Sequence, residues 1–203
     1  IDTGKTLGNA NKGGLRAKVA WQPDDKTDVL FTGHWIKDNS DAMGAYNIQD
    51  LSRRTPAYAN NRDTGWGFRP EFLKTIGYSR NAKPSYDNTF WGAGLNATRH
   101  LSFADLTATS AFQQMYVHNL MDMDGTRYAI YDVNVNTNAN LFSQELKLAS
   151  RPSQKRFQWV AGMYYDRTTM HTALFNDYTQ SGTRPYIQRT SYNQDQQAFS
   201  QYG

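Results

Sequence analysis

Alternating apolar and polar residues recur in three pairs of short segments along this chain. The pairs cover residues 15–21 with 28–37, residues 88–99 with 103–117, and residues 141–149 with 156–166. A period of two places successive side chains on opposite faces of a β-strand. The pattern therefore predicts six strands arranged as three antiparallel hairpins, and a seventh strand that begins at residues 198–202.

Short polar segments join the two members of each pair. Pro23 and Pro152 each open a polar connection, and the second pair meets near His100 and Leu101. Proline presets the backbone for an early turn position, and aspartate or serine suits the positions around it. Each pair is therefore predicted to reverse direction in a tight turn.

Long polar segments separate the pairs. They cover residues 38–85, residues 119–140 and the stretch after residue 167, with lengths of about 48, 22 and 28 residues, which are uncommon for structureless loops in compact soluble domains. An outer-membrane β-barrel combines short turns on one side with long extracellular loops on the other. The alternation of connection lengths favours an all-β, antiparallel transmembrane β-barrel fragment.

The strand patterns give each strand one apolar face and one polar face. In the third pair, Phe142, Leu146 and Leu148 alternate with Glu145 and Lys147. This is the alternation expected between lipid and a polar lumen. The segment 157–165 is apolar or aromatic on both faces, so its orientation stays open.

Aromatic residues gather near the predicted strand ends, as at the two interfaces of a membrane. Those near the turns are Trp21, Phe103 and Phe157, and those toward the loops are Trp35, Tyr116 and Tyr165. One alternative remains open, because a soluble β-sandwich also alternates polar residues with an apolar face that meets a core. As a complete secreted binding or adhesion module, such a sandwich would carry recognition on its long loops.

Composition is compatible with the barrel. The chain has 203 residues, of which 38% are hydrophobic and 14% aromatic, and its mean hydropathy is −0.77. Barrel strands turn only half of their residues to lipid, so a polar average is expected. The net charge of +4 is spread along the chain, so no nucleic-acid partner is predicted. The chain has no cysteine, which excludes disulfides and thiolate metal sites.

No motif indicates catalysis, so the chain is not expected to be an enzyme, and no cofactor or metal is predicted. The four histidines are scattered, and the triplet that begins at Gly4 lacks the leading glycine of a phosphate-binding loop. Asp122, Asp124 and Gly125 begin like a calcium loop, but no glutamate follows at the required distance. The favoured interpretation of these three residues is a solvated turn.

Residues 142–150 (FSQELKLAS) and 159–165 (WVAGMYY) resemble a pair of strands common in the barrels of TonB-dependent receptors. Residues 15–21 with the strand after Pro23, and residues 106–112, are similar to neighbouring strands of that family. The resemblance implies a 22-stranded barrel with a plugged lumen. It also implies energised uptake of a scarce ligand, most simply a ferric siderophore, with cobalamin or an oligosaccharide as other cargoes.

The same resemblance implies a place and partners for the protein. The place is the bacterial outer membrane, and the partners are its lipid bilayer, the protein TonB and a small ligand such as a metal chelate. Residues 1–203 would be part of a single β-barrel domain, and the plug, the TonB-contacting segment and the other strands would belong to a longer polypeptide. A passive porin is the remaining alternative within the barrel class.

The segment 38–85 is the predicted recognition loop. It has seven basic and five acidic side chains, interleaved with aromatic rings. Guanidinium groups and aromatic faces suit an anionic, aromatic chelate. The candidate ligand-binding residues are Arg53, Arg54, Arg69, Tyr58, Trp66 and Phe68.

Overall fold

Seven β-strands and one short helix make up the regular structure of the chain. The computed structural model describes residues 7–45, 65–126, 128–151, 157–181 and 186–203. In chain order the elements are β1 Lys12–Asp24, β2 Thr27–Asp38, α1 Pro70–Thr75, β3 Ser85–His100, β4 Ala104–Asp122, β5 Asp132–Ser150, β6 Val160–Asp177 and β7 Ile187–Tyr202. None of the described helical residues form a helix long and apolar enough to cross a membrane.

All seven strands belong to one antiparallel sheet whose spatial order is the order of the chain. The sheet is open, because β1 and β7 each have a neighbour on one side only among the described residues. The all-β, antiparallel fold class predicted from the sequence is confirmed. A sandwich made of these strands is excluded, because a sandwich needs two sheets.

The tight connections lie together at one edge of the sheet, which we call the turn end. β1 and β2 are joined through Asp25 and Lys26, and the Asp24 carboxylate accepts hydrogen bonds from the Lys26 amide and the Thr27 hydroxyl, both at 2.9 Å. β3 and β4 are joined by residues 101–103. The first two predicted turns are therefore confirmed, whereas most of the third, at residues 151–154, lies outside the described residues.

Two of the three predicted long loops are wrong. Residues 119–140 are mostly strand, since β4 continues to Asp122 and β5 begins at Asp132. β6 likewise continues past residue 167 to Asp177, and β7 begins at Ile187 rather than at residue 198. The connections that remain are residues 123–131 and 178–186. Only the segment between β2 and β3 is long, and it contains α1.

The missed strand residues are rich in asparagine and threonine, which hides them from a hydrophobic pattern. Residues 132–140 contain four asparagines in alternation with valine, threonine and alanine. Asparagine is depleted in strands in general, but residues 132–140 pair without interruption with both β4 and β6. Backbone hydrogen bonds to two neighbours decide the structure here, and side-chain polarity does not.

One face of the sheet carries a continuous apolar surface next to the turn end. Residues directly opposite each other in an antiparallel pair share a face, so the register identifies its members. We call this surface the apolar band; its residues are Leu15, Ala17, Val19, Trp21, Val29, Phe31, Trp35, Trp91, Ala93, Leu95, Ala97, Leu106, Ala108, Phe112, Phe142, Leu146, Leu148, Ala161, Met163 and Phe199. Many of the large members are exposed, from 37% for Trp91 to 76% for Leu15.

The register also settles the orientation that the sequence left open. Met163 lies opposite Leu146 and belongs to the band, whereas Tyr164 lies opposite Glu145 on the other face. That other face is polar beside the band, and its polar groups bond to one another. The Tyr202 hydroxyl donates to Glu145 at 2.7 Å, and the Asn96 amide donates to Thr109 at 2.9 Å.

The band ends at a row of polar side chains on the same face. The Trp91 indole donates to the Gln114 side chain at 2.9 Å, and the Gln114 amide donates to Asn140 at 2.8 Å. Beyond this row the face is polar, with Asn138 and His171 among its residues. The strands therefore have an apolar half near the turn end and a polar half near the opposite edge, which we call the loop end.

Candidate functional site

The long connection between β2 and β3 folds back over the loop end of the sheet. Its helix α1 places Phe72 and Leu73 against Leu120 of β4, and all three side chains are at most 1% exposed. Phe175 of β6 and Ile187 of β7 border this cluster. This apolar contact holds helix α1 against the loop ends of β4, β6 and β7.

Local sequence explains why α1 forms where it does. Pro70 occupies the first turn of the helix, where a missing amide hydrogen costs nothing, and Glu71 lies near the positive end of the helix dipole. Gly77 follows the helix with a φ of 78°, a left-handed conformation that suits glycine at a helix end. The helix thus begins and ends within the span that brings Phe72 and Leu73 onto the sheet.

Three of the six predicted recognition residues lie in the described part of this connection. The Trp66 indole donates to the Ala45 carbonyl at 2.9 Å, and Phe68 packs near Phe72 with ring centroids 6.3 Å apart. The Arg69 guanidinium lies 3.1 Å from Glu71. These contacts hold the connection in place. Arg53, Arg54 and Tyr58 lie outside the described residues.

A close approach of backbone and ring accompanies the Trp66 contact. A β-carbon at Gly44 would lie 3.0 Å from ring atom Cζ2 of Trp66. Glycine at this position therefore lets the indole lie flat against the chain that leaves β2. The two described parts of the long connection, residues 39–45 and 65–84, contact each other here.

Four aspartates meet beneath this connection. Asp122 ends β4 and lies opposite Asp132 at the start of β5, and Asp132 lies opposite Asp177 at the end of β6. The register therefore puts three carboxylates side by side on one face. Asp124 joins them from the loop after β4, and one oxygen each of Asp122, Asp124 and Asp132 lie within 4.8 Å of one another.

Two of the four carboxylates are held by backbone amides. Asp122 accepts from the Gly125 amide at 2.8 Å and from the Gly67 amide at 3.2 Å. Asp124 accepts from the Thr126 amide at 2.9 Å and from the Tyr131 amide at 2.8 Å. Gly125 has a φ of 67°, which glycine adopts without strain. The loop between β4 and β5 is thus wrapped around two acidic side chains.

The other two carboxylates have fewer partners. Asp132 and Asp177 are 0% exposed. Among the described residues, neither oxygen of Asp132 has a hydrogen-bond partner, and one oxygen of Asp177 lacks a partner. The other oxygen of Asp177 accepts from the Thr179 amide at 2.9 Å. A buried polar atom without a partner costs free energy, and a buried charge without one costs more.

Burial and mutual repulsion change the acidity of the cluster. Burial raises the pKa of Asp132 to about 10, with the charges of Asp122, Asp124 and Asp177 adding to it. Burial also raises the pKa of Asp122 to about 7, with Asp124 contributing, and it raises the pKa of Asp124. As a set of oxygen donors, the four side chains can hold a proton or a hard cation.

The solvated turn expected at Asp122, Asp124 and Gly125 is wrong in its solvation. Asp122 is 1% exposed, because the chain near Gly67 covers it. The sequence spacing did place Asp122 and Asp124 in one acidic cluster, although the glutamate of a calcium loop is missing. Asp132 and Asp177 supply the further carboxylates from neighbouring strands, and no local motif could reveal them.

A row of tyrosines lies beside the aspartates at the loop end. Tyr131 and Tyr178 stack with centroids 5.2 Å apart and an angle of 5° between the rings, and Tyr186 lies 5.5 Å from Tyr178. Tyr131 and Tyr186 are 39% and 45% exposed. Sequence reasoning missed this stack, because it joins two connections that only the β5–β6 pairing brings together.

Comparison with solved structures shows a structural similarity to an uptake receptor. No family model matches the chain, and no curated protein matches it. The crystal structure of the ferric yersiniabactin uptake receptor FyuA from Yersinia pestis is similar to the chain with a TM-score of 0.45 and 12% sequence identity. The superposition covers 96% of this chain and 35% of that receptor, so the chain spans well under half of the receptor's length.

Proposed function

We propose that this chain is part of an outer-membrane β-barrel transporter of the TonB-dependent type, which takes up a scarce ligand such as a ferric siderophore. The observation that carries the proposal is the apolar band. It crosses all seven strands on one face, and no described residue covers it with a second layer. Contiguous exposed apolar surface of this extent marks a surface that meets lipid or another protein.

The position of the band supports lipid as its environment. It is confined to the half of the sheet next to the tight turns, and it carries Trp21 near the turns and Trp35 and Trp91 at its other border. Aromatic rings with a polar edge favour the two interfaces of a bilayer. The polar half would then project outside the membrane, as strands below the extracellular loops do.

The open edges of the sheet support a larger barrel. β1 is exposed along its whole length, and so is almost all of β7. Edge amides and carbonyls have no water to bind inside a bilayer, so a lipid-embedded sheet must close. The proposal therefore places further strands beside β1 and β7 in the intact protein.

Ligand recognition would take place at the loop end. The tyrosine stack offers two exposed aromatic faces, at Tyr131 and Tyr186. Arg53, Arg54 and Tyr58 remain the predicted partners of an anionic chelate, with Arg69 on the same connection. Stacking and guanidinium contacts together suit a metal chelate that carries aromatic rings and negative charge.

Membrane insertion is tested first, with the full-length natural protein. We expect it in the outer-membrane fraction, extractable only with detergent and resistant to carbonate washing. A full-length protein that stays folded and monomeric in buffer without detergent would contradict the proposal, because the band would then be in water.

Energised uptake is tested by growth under iron limitation. Cells that lack the gene should lose growth on one ferric siderophore, and cells that lack TonB should lose it equally. Uptake that continues without TonB would indicate a passive porin instead. Arg53→Ala combined with Arg54→Ala should weaken ligand binding, whereas Arg16→Ala with Lys18→Ala, in β1 at the level of the apolar band, should not.

A further inference from the structure

We propose that Asp122, Asp124 and Asp132, with Asp177 beside them, form a calcium-binding site at the loop end. The site is independent of transport, since it requires only that these strand ends pair as described. It joins β4, β5 and β6 with the connections that follow them. No single stretch of sequence contains all of its carboxylates.

The spacing of the carboxylate oxygens suits calcium. Oxygen ligands lie about 2.3–2.6 Å from Ca²⁺, so two ligands on opposite sides of one ion are about 4.6–5.2 Å apart. Three aspartates already offer oxygens within 4.8 Å of one another. Mg²⁺ usually keeps several waters and is bound through only one or two carboxylates, whereas Ca²⁺ takes about six to eight oxygen ligands in a flexible arrangement. A set of three carboxylates with a fourth beside them therefore favours the larger ion.

The unpartnered oxygens are a separate observation that points to a ligand. Asp132 is fully buried beside the other carboxylates, yet both of its oxygens lack hydrogen-bond partners in the part of the chain that the structure describes. Asp177 directs one partnerless oxygen from the adjacent strand position. Cation coordination is one of the few ways to satisfy a buried carboxylate, and the amides around the cluster already bond to Asp122 and Asp124.

Local charge leads to the same conclusion. Among the described residues, the charged neighbours that act on Asp132 are Asp122, Asp124 and Asp177, which are all acidic. Among the described residues, no basic side chain forms an ion pair with these four aspartates. A divalent cation offsets this charge, and two or more carboxylates are what an extracellular calcium site commonly provides.

A bound cation would also connect the loops. Asp122 accepts from Gly67 in the long connection, and Asp124 accepts from Tyr131 in the next one. The loop after β6 joins through the Gln180 amide, which donates to the Ala129 carbonyl at 2.9 Å. Calcium would therefore fix three connections and the tyrosine stack relative to one another.

The test uses the purified full-length protein, treated with a chelator and then titrated with CaCl₂ alone. Calorimetry should show saturable binding with a dissociation constant at or below about 10⁻⁴–10⁻³ M, the range of extracellular calcium modules. The midpoint temperature of thermal unfolding should rise by several degrees when calcium is added and should return to its starting value when the chelator is added. Absence of saturable calcium binding, or tighter binding of MgCl₂, would overturn the assignment.

Variants locate the site. Asp132→Asn should lower the calcium affinity at least tenfold. Asp124→Asn should lower it by a similar factor, and it serves as the second variant if Asp132→Asn fails to fold. Asp87→Asn is the matched control, because Asp87 lies on the same face of the polar half but pairs with Lys37. Wild-type calcium affinity in both cluster variants would overturn the proposal.

The outcome is separable from that of the proposed function. If the protein binds calcium through these residues but is soluble, the calcium site is supported and the transporter function is contradicted. A membrane-inserted protein whose thermal stability rises in Asp132→Asn and ignores calcium keeps the transporter and loses the site, because the buried carboxylate would then be held by a proton.

Discussion

The two halves of this sheet are built from the same strands but differ in the side chains that one of their faces carries. In the half near the turns, large apolar side chains such as Leu146 point into open space on one face. In the half near the loops, the same face is polar, and its buried core includes the apolar side chains of Phe72 and Leu120 beside buried aspartates. The difference indicates two environments along one strand, with lipid proposed around the first half and folded connections over the second.

The largest expected effect tests whether the loop end has a core of its own. Phe72→Ala should cost about 3–5 kcal/mol in local stability, because the ring is fully buried and leaves a cavity against Leu73 and Leu120. Hydrogen exchange should report faster opening of residues 65–84 with little change in the apolar half. Met43→Ala, at an 80% exposed position, is the control and should change little.

The next test compares two positions on one face of β5. Leu146→Arg in the apolar band should cost about 2–4 kcal/mol of unfolding free energy in lipid vesicles, and Asn138→Arg in the polar half about 0–1 kcal/mol. Both side chains lie on the same face, eight positions apart in β5. Equal costs at the two positions would remove the distinction between the halves.

A smaller effect is expected from the polar pair within the band. The Ser110 hydroxyl donates to the Gln144 side chain at 2.5 Å. Gln144→Leu leaves that hydroxyl without this partner and should cost about 1 kcal/mol. The double variant Ser110→Ala with Gln144→Leu should regain that loss in lipid, where an apolar pair suits the band. A double variant less stable than Gln144→Leu would argue against lipid contact.

The smallest expected effect concerns pH at the turn end. Both ring nitrogens of His100 face carboxylates, with Asp105 at 2.8 Å and Asp28 at 2.9 Å, and Arg151 lies 3.5 Å from Asp105. The hydrogen bond to Asp105, followed by that to Asp28, raises the pKa of His100 above its ordinary 6.5. The pKa values of Asp28 and Asp105 are lowered from 3.8.

The directions of these pKa shifts define the pH range in which the His100 network stabilises the fold. The contribution of protonated His100 is complete below pH 6.5 and is lost as pH rises through its raised pKa. The contribution of Asp28 and Asp105 is complete above pH 3.8 and is lost as pH falls through their lowered pKa values. Unfolding followed by tryptophan fluorescence should show the alkaline loss in the wild type, and His100→Gln should abolish it. An unchanged pH profile in that variant would show that the network at the turn end is not responsible.

Sequence patterns predicted the apolar half well, because there each strand has one face that must differ from the other. The first pair of strands and their turn follow directly from alternation and from Pro23 and Asp24. The polar half gave no such signal. Residues 132–140 alternate asparagine with valine, threonine and alanine, and this polar composition predicts a loop, although they are strand.

The candidate site divides in the same way. The acidic spacing at Asp122 and Asp124 is visible in the sequence, but its burial is not. The long connection was correctly identified, whereas the helix within it and the tyrosine stack beside it were not foreseen. Burial depends on which distant segment covers a residue, and the local sequence pattern does not show which segment that is.

The sequence by itself determined the all-β class, the alternation of faces and the positions of the first two tight turns, since these depend on neighbours within a few residues. Tertiary structure alone decided the length of the strands beyond the apolar band and the meeting of Asp122, Asp132 and Asp177. The physical reason is that strand register joins residues far apart in the chain. A pairing shifted by a single residue would turn each of these carboxylates to the other face.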